Sequence, residues 1–264
     1  MDETVHRWSD VKYMSKMLQG TASKSDEDVM WTTEYSESNH FMYWNEKRNR
    51  KGKGNLFSSG DSKEFVPPTE FIEMTFDDWF DKASVRRVGK SDPHWYFRAT
   101  GCARRRGCPK PDFTSAYKEI PIFEQRKSLF VVEPEQARGI HCRFGMNGVI
   151  AENHFDGSRN FVALFGGERR YILAHPLNCP NMYLLPPDHP SGRHSECDWS
   201  DIDLKAFPKF EKINVNEVVL QPGDVLYLPT HWFHYIISLN LNYQCNARSG
   251  RTRTYDQNIR DCGF

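Results

Sequence analysis

The chain has 264 residues, with 35 basic and 35 acidic side chains and a formal net charge of zero. That balance argues against a nucleic-acid binder driven by bulk charge, although a local basic patch stays compatible with it. Mean hydropathy is -0.71, and no apolar run is long enough to span a bilayer, so no membrane partner is expected.

The length suits one large domain or two small ones. The segment Met1-Asp2-Glu3-Thr4-Val5 lacks the basic-then-apolar pattern of a signal peptide. Seven cysteines at irregular spacings fit a reducing compartment better than a disulfide scaffold. An intracellular protein is therefore expected, in cytoplasm or nucleus. Cys102 and Cys108 share an Arg-rich stretch, but no second Cys or His pair lies at ligand spacing beside them, so a zinc clip is not expected.

Residues 1–64 form a polar N-terminal segment, expected to be partly strand and loop. Gly52, Gly54 and Gly60 punctuate it, and Phe41-Met42-Tyr43-Trp44 reads as a strand. The basic run at 47–53 has the composition of a nuclear address or a phosphate patch, although such a run is more often a solvated loop. Phe76, Trp79 and Phe80 stand at helical spacing, with Thr75 and Asp78 placed as a capping box. His94-Trp95-Tyr96-Phe97 reads as a strand, followed by a loop carrying Arg104, Arg105 and Arg106.

From Cys142 onward the pattern is short strands and turns. The apolar run 160–165, closed by Gly166-Gly167, predicts a hairpin with its returning strand at 169–173. The stretch 175–216 is too long for an ordinary loop, so it is expected to be functional or partly structured. A short helix is expected at 201–207, with strands at 217–220, 225–228 and 235–239. Many short strands with Gly/Pro turns predict a mainly β sandwich or jelly roll. The main domain is expected over 65–250, with a tail at 251–264.

Two segments carry chemistry. His154-Phe155-Asp156 places two ligand-type side chains at i and i+2, which share one face of a strand. A third ligand is sought near Trp232-Phe233-His234. His231 follows Pro229-Thr230, where a turn is expected, whereas His234 opens the apolar run Tyr235-Ile236-Ile237; His234 is preferred. Two imidazoles and one carboxylate on one face of an ion, with its other positions open, is the ligand set of non-haem Fe(II) oxygenases.

Several further segments are recognisable: Gly148-Val149-Ile150-Ala151-Glu152-Asn153-His154-Phe155-Asp156, Asn160-Phe161, Gly167-Glu168-Arg169-Arg170-Tyr171-Ile172-Leu173, His189-Pro190, Arg193-His194-Ser195, and Pro222-Gly223-Asp224-Val225-Leu226-Tyr227-Leu228-Pro229. With Trp232-Phe233-His234 they make the chain resemble the Jumonji C, cupin-like family of Fe(II)/2-oxoglutarate oxygenases. The nearest branch in this reading contains the asparaginyl hydroxylase acting on hypoxia-inducible factor. The resemblance covers about residues 140–250 and extends more faintly back to about 65.

The resemblance implies a double-stranded β-helix (jelly roll, cupin-like) with flanking N-terminal helices. It implies Fe(II) on His154, Asp156 and His234, 2-oxoglutarate as co-substrate, and O2. The related hydroxylase has a Lys where Arg169 stands and a Thr where Ala151 stands. Arg169 can hold a carboxylate bidentately, although it is longer and planar. Arg170 points to the opposite sheet face. Tyr96, Asn160 and Asn246 match other co-substrate positions of the family. His189, Arg193 and His194 face two readings, substrate contact or loop hydrogen bonds.

Three activities follow in order: a 2-oxoglutarate-dependent hydroxylase or demethylase, a metal cupin that does not use 2-oxoglutarate, and a non-catalytic binding module. The expected substrate is a protein or peptide side chain. A nucleic acid is open but not favoured, and a homodimer is open.

Overall fold

The computed structural model describes residues 1–19, 28–45, 65–85, 89–102, 111–124, 129–131, 133–251 and 255–264. The basic run 47–53, the glycines at 52, 54 and 60, the arginines at 104–106 and Cys108 lie outside them.

Helices α1 (Asp2–Trp8) and α2 (Val11–Gln19) precede strands β1 (Trp31–Ser36), β2 (His40–Phe41) and β3 (Glu70–Met74). Helix α3 (Phe76–Ala83) follows because Thr75 caps it: its hydroxyl accepts from the Asp78 N–H at 3.0 Å and donates to the Asp78 carboxylate at 2.8 Å. The apolar stripe on α3 buries Phe76 and Trp79, each contributing about 2–3 kcal/mol. Strand β4 (His94–Gly101) and the short helix α4 (Ala116–Glu119) lead into the main strand series.

That series comprises β5 (Ile140–Gly145), β6 (Ile150–Phe155), β7 (Ser158–Gly166), β8 (Arg169–Ala174), β9 (Val215–Leu220), β10 (Val225–Leu228), β11 (Phe233–Ser238) and β12 (Asn242–Arg251). A C-terminal helix α5 (Gln257–Asp261) closes the chain. The major sheet runs β10-β7-β12-β5-β4-β1-β3, and the minor sheet runs β2-β6-β11-β8-β9. From β5 onward the chain passes between the sheets, as a jelly roll requires, and the fold is mainly β.

One expected hairpin is corrected. Strands β7 and β8 do not pair; β7 lies between β10 and β12, and β8 lies between β11 and β9. Gly166-Gly167 therefore carries the chain from one sheet to the other. Gly167 has φ +70°, and a Cβ there would strike the Leu241 carbonyl and the Asn242 side chain. Gly223 also has positive φ, +100°, but open space around it. Gly167→Ala is expected to cost about 3 kcal/mol and Gly223→Ala about 1 kcal/mol, measured by urea unfolding. Equal costs would show that the crossing is not sterically fixed.

Other expectations shift locally. The 201–207 helix is absent; a 3-10 helix forms instead at Pro208–Lys212, where Pro208 presets the first φ. Of the 41–44 island only Phe41 is in a strand. The break drawn at residue 65 is no break in packing: Trp8, Met14, Leu18 and Trp31 share one core with Trp79, Phe97 and Phe144. This core lies between the N-terminal helices and the outer face of the major sheet.

The cysteine reading is also corrected. Cys142 is joined to Cys245 across the paired strands β5 and β12, and Cys179 to Cys262, tying the Pro176–Asn181 turn to the end of α5. Cys102 is disulfide-bonded too, so it offers no thiolate to zinc, whereas Cys197 is a free buried thiol. No helix among the described residues is long and apolar enough to cross a membrane.

Candidate metal centre

The two sheets face each other across a cavity of about 300 Å³. His154 comes from β6 and His234 from β11, directly opposite each other in register. Asp156 follows the end of β6. Their ligand atoms all lie within 4.8 Å of one another. His231 sits on the preceding turn at φ +67°, and its Nδ1 accepts from the Asp256 N–H at 3.3 Å, so it is spent elsewhere.

Backbone carbonyls fix both imidazoles. His154 Nδ1 donates to Glu152 O at 2.7 Å, and His234 Nδ1 donates to Trp232 O at 3.0 Å. With both Nδ1 positions protonated, both Nε2 lone pairs are free, and they face each other at 3.1 Å. Two such lone pairs repel unless a cation lies between them. Burial, together with the neighbouring imidazoles, holds His154 well below its ordinary pKa; burial lowers His234 as well, so both are neutral ligands. The donor set therefore fits a divalent metal ion.

The carboxylate is equally well oriented. Asp156 accepts from Asn160 Nδ2 at 3.1 Å, pairs with Arg248 at 3.0 Å and with Arg193 at 3.3 Å. Burial pushes the Asp156 carboxyl up, but Arg248, the two imidazoles and Arg193 outweigh it and hold the group well below the usual carboxylate range.

A β-bulge shapes the floor. His234 pairs with His154 and Ile236 with Ala151, so Tyr235 opposes both Glu152 and Asn153. The extra residue lets Ala151 and His154, three apart, both line the cavity.

Of the residues named from sequence, Tyr96, Asn160 and Asn246 line the cavity with His154, Asp156 and His234. The Asn246 and Asn160 amides lie 2.9 Å apart. Arg169 is not in the cavity wall. It is fully buried behind it, its Nε donating to Asn242, its Nη2 to Arg143 O at 3.4 Å, and its guanidinium 5.3 Å above the Tyr96 ring. Its Nη1 has no partner among the described residues. Arg170 points outward and pairs with Glu217 at 2.6 Å. Arg193 and His194 line the cavity; His189 does not, and its ring packs on Phe65.

The sequence reading missed Glu34, Arg98, His141, Arg143, Tyr171, Gln244 and Arg248, all of them lining residues. A signal existed. On β5, His141 and Arg143 alternate with Cys142 and Phe144; on β12, Gln244, Asn246 and Arg248 alternate with Cys245 and Ala247. Polar alternation is ordinarily assigned to solvent, but here the apolar face meets the helices and the polar face lines the cavity.

A model of the cupin-like domain matches residues 2–249. Among curated proteins, the chain is 27% identical over 202 residues to tRNA wybutosine-synthesizing protein 5 of Danio rerio, covering 74% of this chain and 58% of that one. It is 33% identical over 129 residues to Jumonji C domain-containing protein 5 of Drosophila melanogaster, covering 46% and 32%. It is 34% identical over 106 residues to lysine-specific demethylase 8 of Xenopus tropicalis, covering 39% and 23%. The chain thus spans little more than half of the first of these relatives and less of the others. Among solved structures, YcfD, a ribosomal oxygenase from Escherichia coli in complex with cobalt and 2-oxoglutarate, aligns at TM-score 0.41 and 11% identity over 92% of this chain and 45% of that one. With the family model matching nearly its whole length, the chain belongs to the cupin-like domain family.

Proposed function

We propose that this chain is an Fe(II)- and 2-oxoglutarate-dependent oxygenase that hydroxylates a protein side chain. The supporting observation is the converging pair of Nε2 atoms, 3.1 Å apart beside Asp156, each fixed by its own strand. Iron held there would supply oxygen activation coupled to oxidation of 2-oxoglutarate. The chain's own residues do the rest: carbonyls set both imidazole tautomers, and Asn160, Arg193 and Arg248 orient the carboxylate. His194, tied through Nδ1 to Ser191 O at 2.9 Å, is stacked beside His154 in the cavity wall.

The cavity also suits an anionic co-substrate. Four arginines (Arg98, Arg143, Arg193 and Arg248) line it against two carboxylates, Glu34 and Asp156. A divalent ion on Asp156 would add to that positive excess.

Purified protein supplied with Fe(II), 2-oxoglutarate and air is expected to release succinate. A second reading, a metal cupin that does not use 2-oxoglutarate, draws on the withdrawn position of Arg169; it requires stoichiometric metal with no calorimetric signal from 2-oxoglutarate. Absence of any stoichiometric metal after loading would instead leave a binding module.

The choice of a protein side chain rests on the family resemblance, and hydroxylation rather than demethylation rests on it too. Relatives named for wybutosine synthesis on tRNA make a nucleic acid the rival substrate; succinate release stimulated by peptide pools or by tRNA separates the two. Placement beside the asparaginyl hydroxylase of hypoxia-inducible factor rests on the quoted motifs alone, since the relatives found carry other names. A homodimer belongs with these proposals, although all three metal ligands come from one chain. An intracellular setting, cytoplasm or nucleus, belongs with these proposals; the Cys142–Cys245 and Cys179–Cys262 bridges are the feature that a reducing compartment would have to accommodate.

A further inference from the structure

Behind the candidate metal centre lies a buried polar contact that faces away from the cavity. Ala151 and His154 both line the cavity, while Glu152 and Asn153, the two residues of the bulge, stand between them outside its wall. Glu152 is only 6% exposed. Its carboxylate accepts from His40 Nδ1, and His40 is its one ion-pair partner among the described residues. A buried pair of this kind adds little net stability, so its presence calls for another account.

Glu152 stands at a junction. Strand β2 pairs with β6 only at Ile150 and Ala151. From Asn153 onward the same edge of β6 is taken by residues 193–195: the Ser195 N–H donates to Asn153 O at 2.9 Å, and His194 bridges His154. On the other side, Tyr235 opposes two residues instead of one, which breaks the regular ladder. The Asn153 side-chain amide, buried beside it, makes no hydrogen bond among the described residues. Yet the Glu152 carbonyl, inside this break, is the acceptor that sets the His154 ring, 2.7 Å from Nδ1. The side chain on the same Cα is anchored to β2 through His40.

We infer that His40 and Glu152 are positioning residues for the metal centre. Their ion pair clamps the bulge, so that the Glu152 carbonyl holds His154 Nδ1 and aims Nε2 at the ion. Partners of this kind, one step removed from the ion, orient its ligands. The polar N-terminal segment, set apart from the main domain at residue 65 on sequence grounds, thereby acts on the ion through two contacts. The inference rests on the reading of His154, Asp156 and His234 as a metal site.

The test uses the full chain loaded with Co(II). Competition with a chelator gives affinity, and visible d–d absorption reports the arrangement of the ligands. Glu152→Ala removes the clamp, keeps the backbone carbonyl and leaves no buried carboxylate unpaired. It is expected to weaken Co(II) binding about tenfold and to shift the absorption bands. His40→Ala should do the same, and the double variant should be no weaker than either single one, because both break one contact. Glu152→Gln still accepts from His40 and should keep most of the affinity and the unsubstituted bands. Asn39→Ala is the control. Asn39 Nδ2 donates to Gly148 O at 3.0 Å, so its loss loosens the same segment without touching Glu152. It should lower the urea midpoint and leave the bands in place.

If Glu152→Ala leaves affinity and bands as they were, or Asn39→Ala shifts them equally, the pair only supports the fold; the inference then fails while the metal centre stands. If the unsubstituted protein takes up no Co(II), the metal centre and the inference fail together.

Discussion

Asp156→Ala and His234→Ala are each expected to lower metal affinity by more than roughly a hundredfold and to end succinate release. The two should differ in stability. Removing Asp156 leaves Arg193 and Arg248 without their shared counter-ion in a partly buried site. That is expected to cost about 1–3 kcal/mol in metal-free protein, after allowing for residual solvent around both guanidiniums. His234→Ala removes a neutral ring and relieves the contact between facing lone pairs, so metal-free stability should change less. Metal analysis after loading gives the first comparison, and denaturant unfolding in the presence of a chelator gives the second. Full metal occupancy in either variant would remove the triad from consideration.

The second large effect concerns the bridges. Cys142–Cys245 spans 103 positions and Cys179–Cys262 spans 83. In the chain-entropy treatment each restricts the unfolded chain by about 4.5 kcal/mol. Cys245→Ser with Cys142→Ser is expected to lower the thermal midpoint by about 10 °C. Cys262→Ser should do more than destabilise. The C-terminal segment packs Phe264 and Tyr255 on Phe155, whose neighbours His154 and Asp156 both belong to the candidate metal cluster. Metal affinity should therefore fall with Cys262→Ser and stay unchanged in the Cys142/Cys245 pair. Trapping of thiols in protein taken directly from its cells would show whether the bridges exist where it works; fully reduced cysteines there would support the cytoplasmic or nuclear reading.

The candidate metal cluster could be read from the sequence because each member carries a local sign. His154 and Asp156 have the two-residue period of a strand, and His234 begins an apolar run, whereas His231 follows Pro229-Thr230 and takes up positive φ. The capped helix α3 was readable for the same reason, its stripe and cap being within a few residues of each other. What could not be read depends on which sheet a strand joins. Gly166-Gly167 offers the same turn chemistry whether the chain folds back beside itself or crosses over, so the hairpin was the natural error. Cysteine pairing across 103 positions has no local sign either. Arg169 was placed by alignment to a shorter lysine, and only packing shows that its longer side chain lies behind Tyr96 instead of in the wall. The cavity arginines were hidden by the assumption that a polar strand face is a wet outer face.

Strand β12 lies in the interior of the major sheet, between β7 and β5. It also leaves the ribosome after every other strand of the two sheets. Until it arrives, β7 and β5 each present an unpaired edge, and Asn246 and Arg248 are missing from the cavity wall. Synthesis thus yields no finished half-domain: the major sheet closes only after β12 has been made, through contacts distant in sequence that form slowly. Open edges of this kind invite pairing between nascent chains. The Cys142–Cys245 bond joins the two strands whose meeting completes the sheet, so once formed it makes that late step hard to undo.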